Sequence, residues 1–193
     1  LANYRLGIDD SKNYENSVEN FTNSLNLNSS DLESLLKLGN AYIKLGRFEE
    51  AIDQFKMMKT IAPNNALAFY NIGLCNKKLE KLNAAAEAFQ VSSSLDATQE
   101  SIHQFLNWDN NSFAGNSYYH LGEVLFKTSG FNAATEALMQ SLALDKEHQQ
   151  SFYYLGLSYK YLGDYDNAIM NLKNATELNN NDYFAFLELG KSY

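Results

Sequence analysis

The chain is 193 residues with 45% hydrophobic residues, enough to bury a core, and carries 23 acidic against 15 basic residues for a net charge of −8. That balance counts against a nucleic-acid partner, which needs a basic footprint, and no apolar run nears the roughly 18 residues of a membrane-inserted helix. Cys75 is the sole cysteine, which excludes an internal disulfide and fits a reducing, cytoplasmic setting.

Leu32 opens a 34-residue period. Counting it as position 1, the units run 32–65, 66–99, 115–148 and 149–182, with a first helix alone at 183–193. Ahead of them, residues 1–31 form a divergent partial unit. Its Tyr14, Phe21 and Leu27 fall on positions 17, 24 and 30, but position 8 is Arg5. In the full units position 4 is Leu35, Phe69, Tyr118 and Phe152, and position 7 is Leu38, Ile72, Leu121 and Leu155. Position 8 is Gly39, Gly73, Gly122 and Gly156, and Gly190 in the last helix. This spacing is one face of a helix. Ala51, Ala85, Ala134 and Ala168 at position 20, and Phe55, Phe89, Leu138 and Leu172 at position 24, belong to a second such face that spans positions 17 to 30. Gly46, Gly130 and Gly163 break the chain between the two. Each unit is thus a pair of antiparallel helices joined by a short turn. Glycine inside a helix costs about 1 kcal/mol relative to alanine. Its recurrence at position 8 predicts a close helix approach, with alanine 20 opposite.

The period slips by 15 between Gly73 and Gly122, isolating residues 100–114 with Trp108. Asp96 and Gln99 have capping-box spacing, so a short helix through Leu106 is expected. Two readings stand: a helix packed on the edge of the array, or a hook on which Trp108 is a binding hot spot. At the far end, Tyr193 falls on position 11 with no second helix after it. The apolar face of Phe186 and Leu189 then calls for more chain or for another surface to cover it.

Leu-Gly at 7–8, an aromatic near 11, Gly near 15, Ala at 20 and Phe or Leu at 24 resemble the tetratricopeptide repeat, as does the period itself. The resemblance covers residues 1–99 and 115–193. It implies an all-α fold, a right-handed superhelix (α-solenoid) of helix pairs with the first helices lining a concave groove. Asn76 at position 11 and Met58 at position 27 are local departures.

On that groove the sequence places Tyr70, Tyr119 and Tyr153 at position 5, Asn71 at position 6, Asn40 and Glu123 at position 9, and Lys44, Lys78, Lys127 and Tyr161 at position 13. Tyrosine offers broad contact with a polar tip, and lysine attracts carboxylates. The family's two-carboxylate clamp is not expected, because Leu36, Asn116 and His120 stand where three cations would be. No phosphate loop or nucleophile elbow occurs, and His103, His120 and His148 share no metal-ligand spacing with Cys75. The sequence therefore points to a protein without catalysis, cofactor or metal. The expected role is a scaffold that binds a protein or peptide in its groove within a larger complex. The alternatives are the targeting arm of a larger enzyme, or a module that self-associates through its open ends.

Overall fold

The computed structural model describes the backbone of residues 2–95 and 110–193 and the side chains of 11–95 and 113–193. Trp108, His103 and the short helix expected through Leu106 lie outside the described residues. The described chain is all helix and turn and divides into two compact units between Lys81 and Leu82.

The first unit holds α1 (Ala2–Leu27), α2 (Leu32–Lys44), α3 (Phe48–Ile61) and α4 (Ala66–Lys78), each packed on the next. The second holds α5 (Leu82–Ser94), α6 (Asn110–Lys127), α7 (Phe131–Leu144), α8 (Gln149–Tyr161), α9 (Tyr165–Leu178) and α10 (Tyr183–Ser192), again in sequential contact. Thus α2, α4, α6, α8 and α10 are first helices of their repeats, and α3, α5, α7 and α9 are second helices.

The turn inside each pair is the same. Position 15 takes a positive φ in all four: Gly46 (74°), Glu80 (57°), Ser129 (62°) and Gly163 (81°). The amide at position 16 then bonds the carbonyl at position 11 over 2.9 Å in every case, Arg47 to Tyr42, Lys81 to Asn76, Gly130 to Leu125 and Asp164 to Tyr159. This left-handed cap closes the first helix. Residues 1–31 have Lys12 at that position. There the helix does not turn: α1 runs unbroken from Ala2 to Leu27.

The joint between repeats is built from small polar groups. Serines at positions 27 and 3 meet hydroxyl to hydroxyl at Ser92–Ser117 (3.1 Å) and Ser141–Ser151 (2.9 Å). Ser24 and Ser34 do the same at 2.9 Å, which sets α1 in the register of a second helix. At the other two joints Met58 with Ala68, and Ala175 with Ala185, occupy the two positions, all buried.

Position 34 caps the next first helix. Asp31, Asn65 and Asp182 accept the amides of Ser34, Ala68 and Ala185 at 2.9–3.1 Å. His148 does so through Nδ1, 3.2 Å from the Ser151 amide, and that nitrogen also lies 3.0 Å from the Ser151 hydroxyl. An accepting Nδ1 carries no proton, so protonation removes the cap. Burial pushes the His148 pKa below its ordinary 6.5, against the pull of Asp145. With the folded pKa depressed, the cap's stability is complete above pH 6.5 and is lost as the pH falls through the lower folded value. Chemical denaturation at neutral pH and near pH 5 should show a loss of about 1 kcal/mol that His148→Asn, which keeps a capping side chain, reduces. Equal losses in both proteins would contradict this role.

The glycine contact differs from its expected form. A Cβ on Gly39 would lie 2.5 Å from the Phe55 ring, one on Gly122 2.5 Å from Leu138 Cγ, and one on Gly156 2.7 Å from Leu172 Cγ. All three partners are at position 24. Alanine 20 contributes its carbonyl at one pair, Ala168 O at 3.1 Å from the Gly156 site. The second-helix face is also narrower than expected. Residues at 20, 24 and 27 are buried, whereas Ile61 and Leu178 at position 30 are about two-fifths exposed and Leu27 is almost wholly exposed.

Candidate interaction surface

Side chains at positions 5, 6, 9, 12 and 13 of the first helices point away from the position-24 core, because 3.6 residues per turn sets them on another face. In the first unit these residues divide. Asn40 and Lys44 are exposed and line a cavity of about 200 Å³ with Lys37, Ala41, Tyr14, Ser17 and Phe21. Lys78 is exposed. Tyr70 and Asn71 are buried; burial pushes the Tyr70 hydroxyl pKa up, and Asn71 Nδ2 donates to the Leu67 carbonyl at 3.0 Å. These two side chains fill structural places in the described chain.

In the second unit, aromatic rings of α6, α7 and α8 join in one band. Tyr119 packs on His120 and His148, each with centroids 4.7 Å apart, and reaches Tyr154 at 6.2 Å. Phe126 sits 5.6 Å from both Tyr154 and Tyr161, and Phe131 stacks on Tyr161 at 4.8 Å and 11°. Tyr153 meets Tyr154 edge-on at 5.3 Å. Tyr153 is half-buried, enough to raise its hydroxyl pKa, while Tyr161 is 64% exposed. The band therefore offers ring faces and phenol tips to a ligand. The spacing puts Tyr119 and Tyr153 on the groove face at position 5, whereas Phe126 and Tyr154 are not singled out because positions 12 and 6 vary in type from unit to unit, and Phe131 at position 17 reads as part of the second-helix apolar face.

Lys127, Lys160 and Lys191 of this unit are held in ion pairs. Lys127 Nζ donates to the buried Glu123 at 2.9 Å, with His120 Nδ1 3.4 Å from the same carboxylate. Lys160 and Lys191 each donate to Glu188 at 2.7 Å, which holds its carboxyl below the usual range. The Glu123–Lys127 spacing of four was readable as a helical pair; the link from Lys160 to the next repeat was not.

The opposite face of the second unit has its own opening. A cavity of about 670 Å³ lies between α5 and α7 over α6, where Ala86, Ser93, Ala133 and Ala137 are short and Leu121 and Leu125 form the floor. Among the described residues no three His, Cys, Asp or Glu could share a metal ion, and no helix is long and apolar enough to cross a membrane. Cys75 is buried, and burial pushes its thiol pKa up to about 12. Ser151 lies within bonding reach of His148 but is fully buried, so its hydroxyl meets no substrate.

Comparison with known proteins agrees with this geometry. The tetratricopeptide repeat pattern matches residues 32–65 and 149–182. The chain is 22% identical over 188 residues to human protein O-mannosyl-transferase TMTC3, covering 89% of the chain and 19% of that protein. It is 22% identical over 202 residues to the BBSome complex member BBS4 homolog of Drosophila melanogaster, covering 86% and 38%. The chain thus spans well under half the length of either relative. Among solved structures, MamA superposes with a TM-score of 0.73 at 23% identity, over 88% of this chain and 91% of that one. YrrB, described as a TPR protein with an unusual peptide-binding site, gives 0.73 at 21%, over 95% and 87%. At such identities the structural likeness speaks for the fold. The period, the two matched segments, and the glycine seat and left-handed turn that recur through the array support assigning this chain to the tetratricopeptide repeat family.

Proposed function

We propose that the protein is a non-catalytic scaffold that binds a peptide segment or partner helix on the first-helix face, as a member of a larger assembly. The observation that carries this reading is the aromatic band of the second unit, with Tyr161 and Tyr153 presented beside paired ions rather than buried in the core. Large rings with few torsions gain contact area at small entropic cost, which suits them to binding hot spots. The name of the BBS4 homolog, a complex member, supports the assembly part of the reading. The likeness to a transferase of which the chain covers 19% supports a second reading, a repeat arm within a larger enzyme. Sequencing the complete transcript tests it, and an open reading frame without a catalytic domain would end it.

The test of the first reading avoids Lys127, whose reversal would set two carboxylates together in a buried place. Tyr153→Ala with Tyr161→Ala should cut capture of native partners from cell extract at least about tenfold. A control, Met139→Ala with Met170→Ala, alters exposed residues of the second helices and should leave capture unchanged. Full capture by the tyrosine variant would move the site off this band.

A further inference from the structure

His148 joins the aromatic band to the start of α8. Its Nδ1 accepts from the Ser151 amide at 3.2 Å and lies 3.0 Å from the Ser151 hydroxyl, which in turn meets Ser141 of α7 at 2.9 Å. The same ring packs on Tyr119 of α6 with centroids 4.7 Å apart. Tyr119 leads on to Tyr154, and Tyr154 to Tyr153 and Phe126. The caps described at the other joints are Asp31, Asn65 and Asp182. The cap that titrates nearest neutral pH therefore stands against the band. The charged and titratable groups about the ring are Asp145, Lys146 and Glu147 of its own turn, and Tyr119 and His120 of α6. The first turn of α8, from Gln149 to Phe152, is uncharged, and α7 approaches through Ser141.

We propose that protonation of His148 is a release switch for the partner on the aromatic band: the band is set while the imidazole is neutral, and the partner is let go when the ring takes a proton. The switch rests on the reading that partners bind at this band. An imidazolium has no lone pair at Nδ1, so it cannot accept from Ser151, and its charge faces the positive end of α8. The carboxylate that favours the proton is Asp145, in the same turn. Swinging the ring towards Asp145 takes it off Tyr119 and leaves the first turn of α8 uncapped. Two parts of the band then lose support. Tyr119 loses one of the two imidazoles it packs on. Tyr153 follows directly on the turn whose amide has lost its acceptor. His120 acts in the opposite sense, because a proton there strengthens its 3.4 Å contact with Glu123. Since the complex needs the neutral ring, binding lowers the His148 pKa further. Affinity is then complete above the ordinary 6.5 and falls by up to about tenfold per pH unit below the lowered value.

The whole chain is titrated from about pH 7.5 to about pH 5, following the tyrosine signal in near-ultraviolet circular dichroism and the histidine resonances by NMR. The wild type should show one reversible change in the tyrosine signal that tracks the His148 resonance, with helix content nearly constant. His148→Asn, which keeps a capping side chain and takes no proton in this range, should give a flat tyrosine signal. His120→Asn should keep the wild-type transition. Native partners captured at about pH 7.5 should be retained at least about threefold less by the wild type after a wash at about pH 5, and equally at both by His148→Asn. The proposal is overturned if His148 titrates while the tyrosine signal stays flat, if the transition persists in His148→Asn, or if the wild type retains its partners equally at both values. Failure of the switch and failure of the site are separable. Full capture by Tyr153→Ala with Tyr161→Ala sinks the binding reading and the release with it. Retention that is independent of pH but still depends on those tyrosines sinks the switch alone.

Discussion

Phe55→Ala should lower the stability of the first unit by about 3–5 kcal/mol, read as a shift in chemical denaturation. The ring is fully buried and fills the space left by the absent side chain of Gly39. Its removal loses the transfer energy of a phenyl group and opens a void between α2 and α3 that two helices in contact along their length cannot close. Phe21→Ala serves as the internal comparison. It has the same residue type and the same repeat position, but its ring is half-buried and no glycine covers it in the described chain. Its cost should be at most about half as great, because the loss scales with the area withdrawn from water. Equal costs at the two sites would mean that the glycine seat does not set the packing.

Gly122→Ala should cost about 1–3 kcal/mol, and Gly190→Ala should cost nothing or stabilise by up to about 1 kcal/mol. The added methyl at Gly122 would stand 2.5 Å from Leu138 Cγ, a branch point that cannot swing aside as a chain end can. Leu138 is itself fully buried, so relief requires α6 and α7 to separate. At Gly190 nothing in the described structure lies within 4 Å of the new methyl. Only the helix propensity of alanine over glycine then remains. A difference of about 1 kcal/mol moves the melting temperature by about 2–8 °C for domains of this size, so thermal denaturation separates the two outcomes. Destabilisation at Gly190 equal to that at Gly122 would contradict the packing described.

Much of this architecture was legible in the sequence because it repeats. The 34-residue period agrees with the order of the described helices, and the sequence marks the turn in three of the four units, at Gly46, Gly130 and Gly163. Two further details of the core were not legible. The glycine was expected against alanine 20, but a Cβ on a helix leans toward its N-terminus, so a large residue at 24 covers the spot above the turn before it. Alanine 20 is too short to compete. The turn residue was also harder to read at Glu80 and Ser129, which hold a left-handed conformation that L side chains adopt at some cost. The joint imposes it there: the hydrogen bond from position 16 to position 11 is as short as in the glycine turns.

The interaction surface was less legible, for a reason of scale. Helical spacing places Tyr70 and Tyr119 on equivalent faces, yet Tyr70 is buried and Tyr119 is half-exposed among rings. Which side chain a neighbouring helix covers depends on contacts beyond one turn, and period carries no record of them. The lysine stripe is a second case. At position 13, Lys44 stands exposed at a cavity rim, whereas Lys127 is drawn onto Glu123. A charge that reads as a ligand contact in sequence is here part of the structure's own pairing. The capping histidine belongs to the same class: Asp31, Asn65 and Asp182 are residue types that announce a helix start, and His148 is not.

The central claim is that partners bind along the first helices of the second unit. Hydrogen–deuterium exchange of the chain alone and with a captured native partner tests it directly. The account predicts slowed exchange in α6 and α8, centred on residues 119–127 and 153–161, with α7 and α9 unchanged. Protection confined to α5 and α7, around the cavity over Leu121 and Leu125, would contradict it and assign binding to the second-helix face.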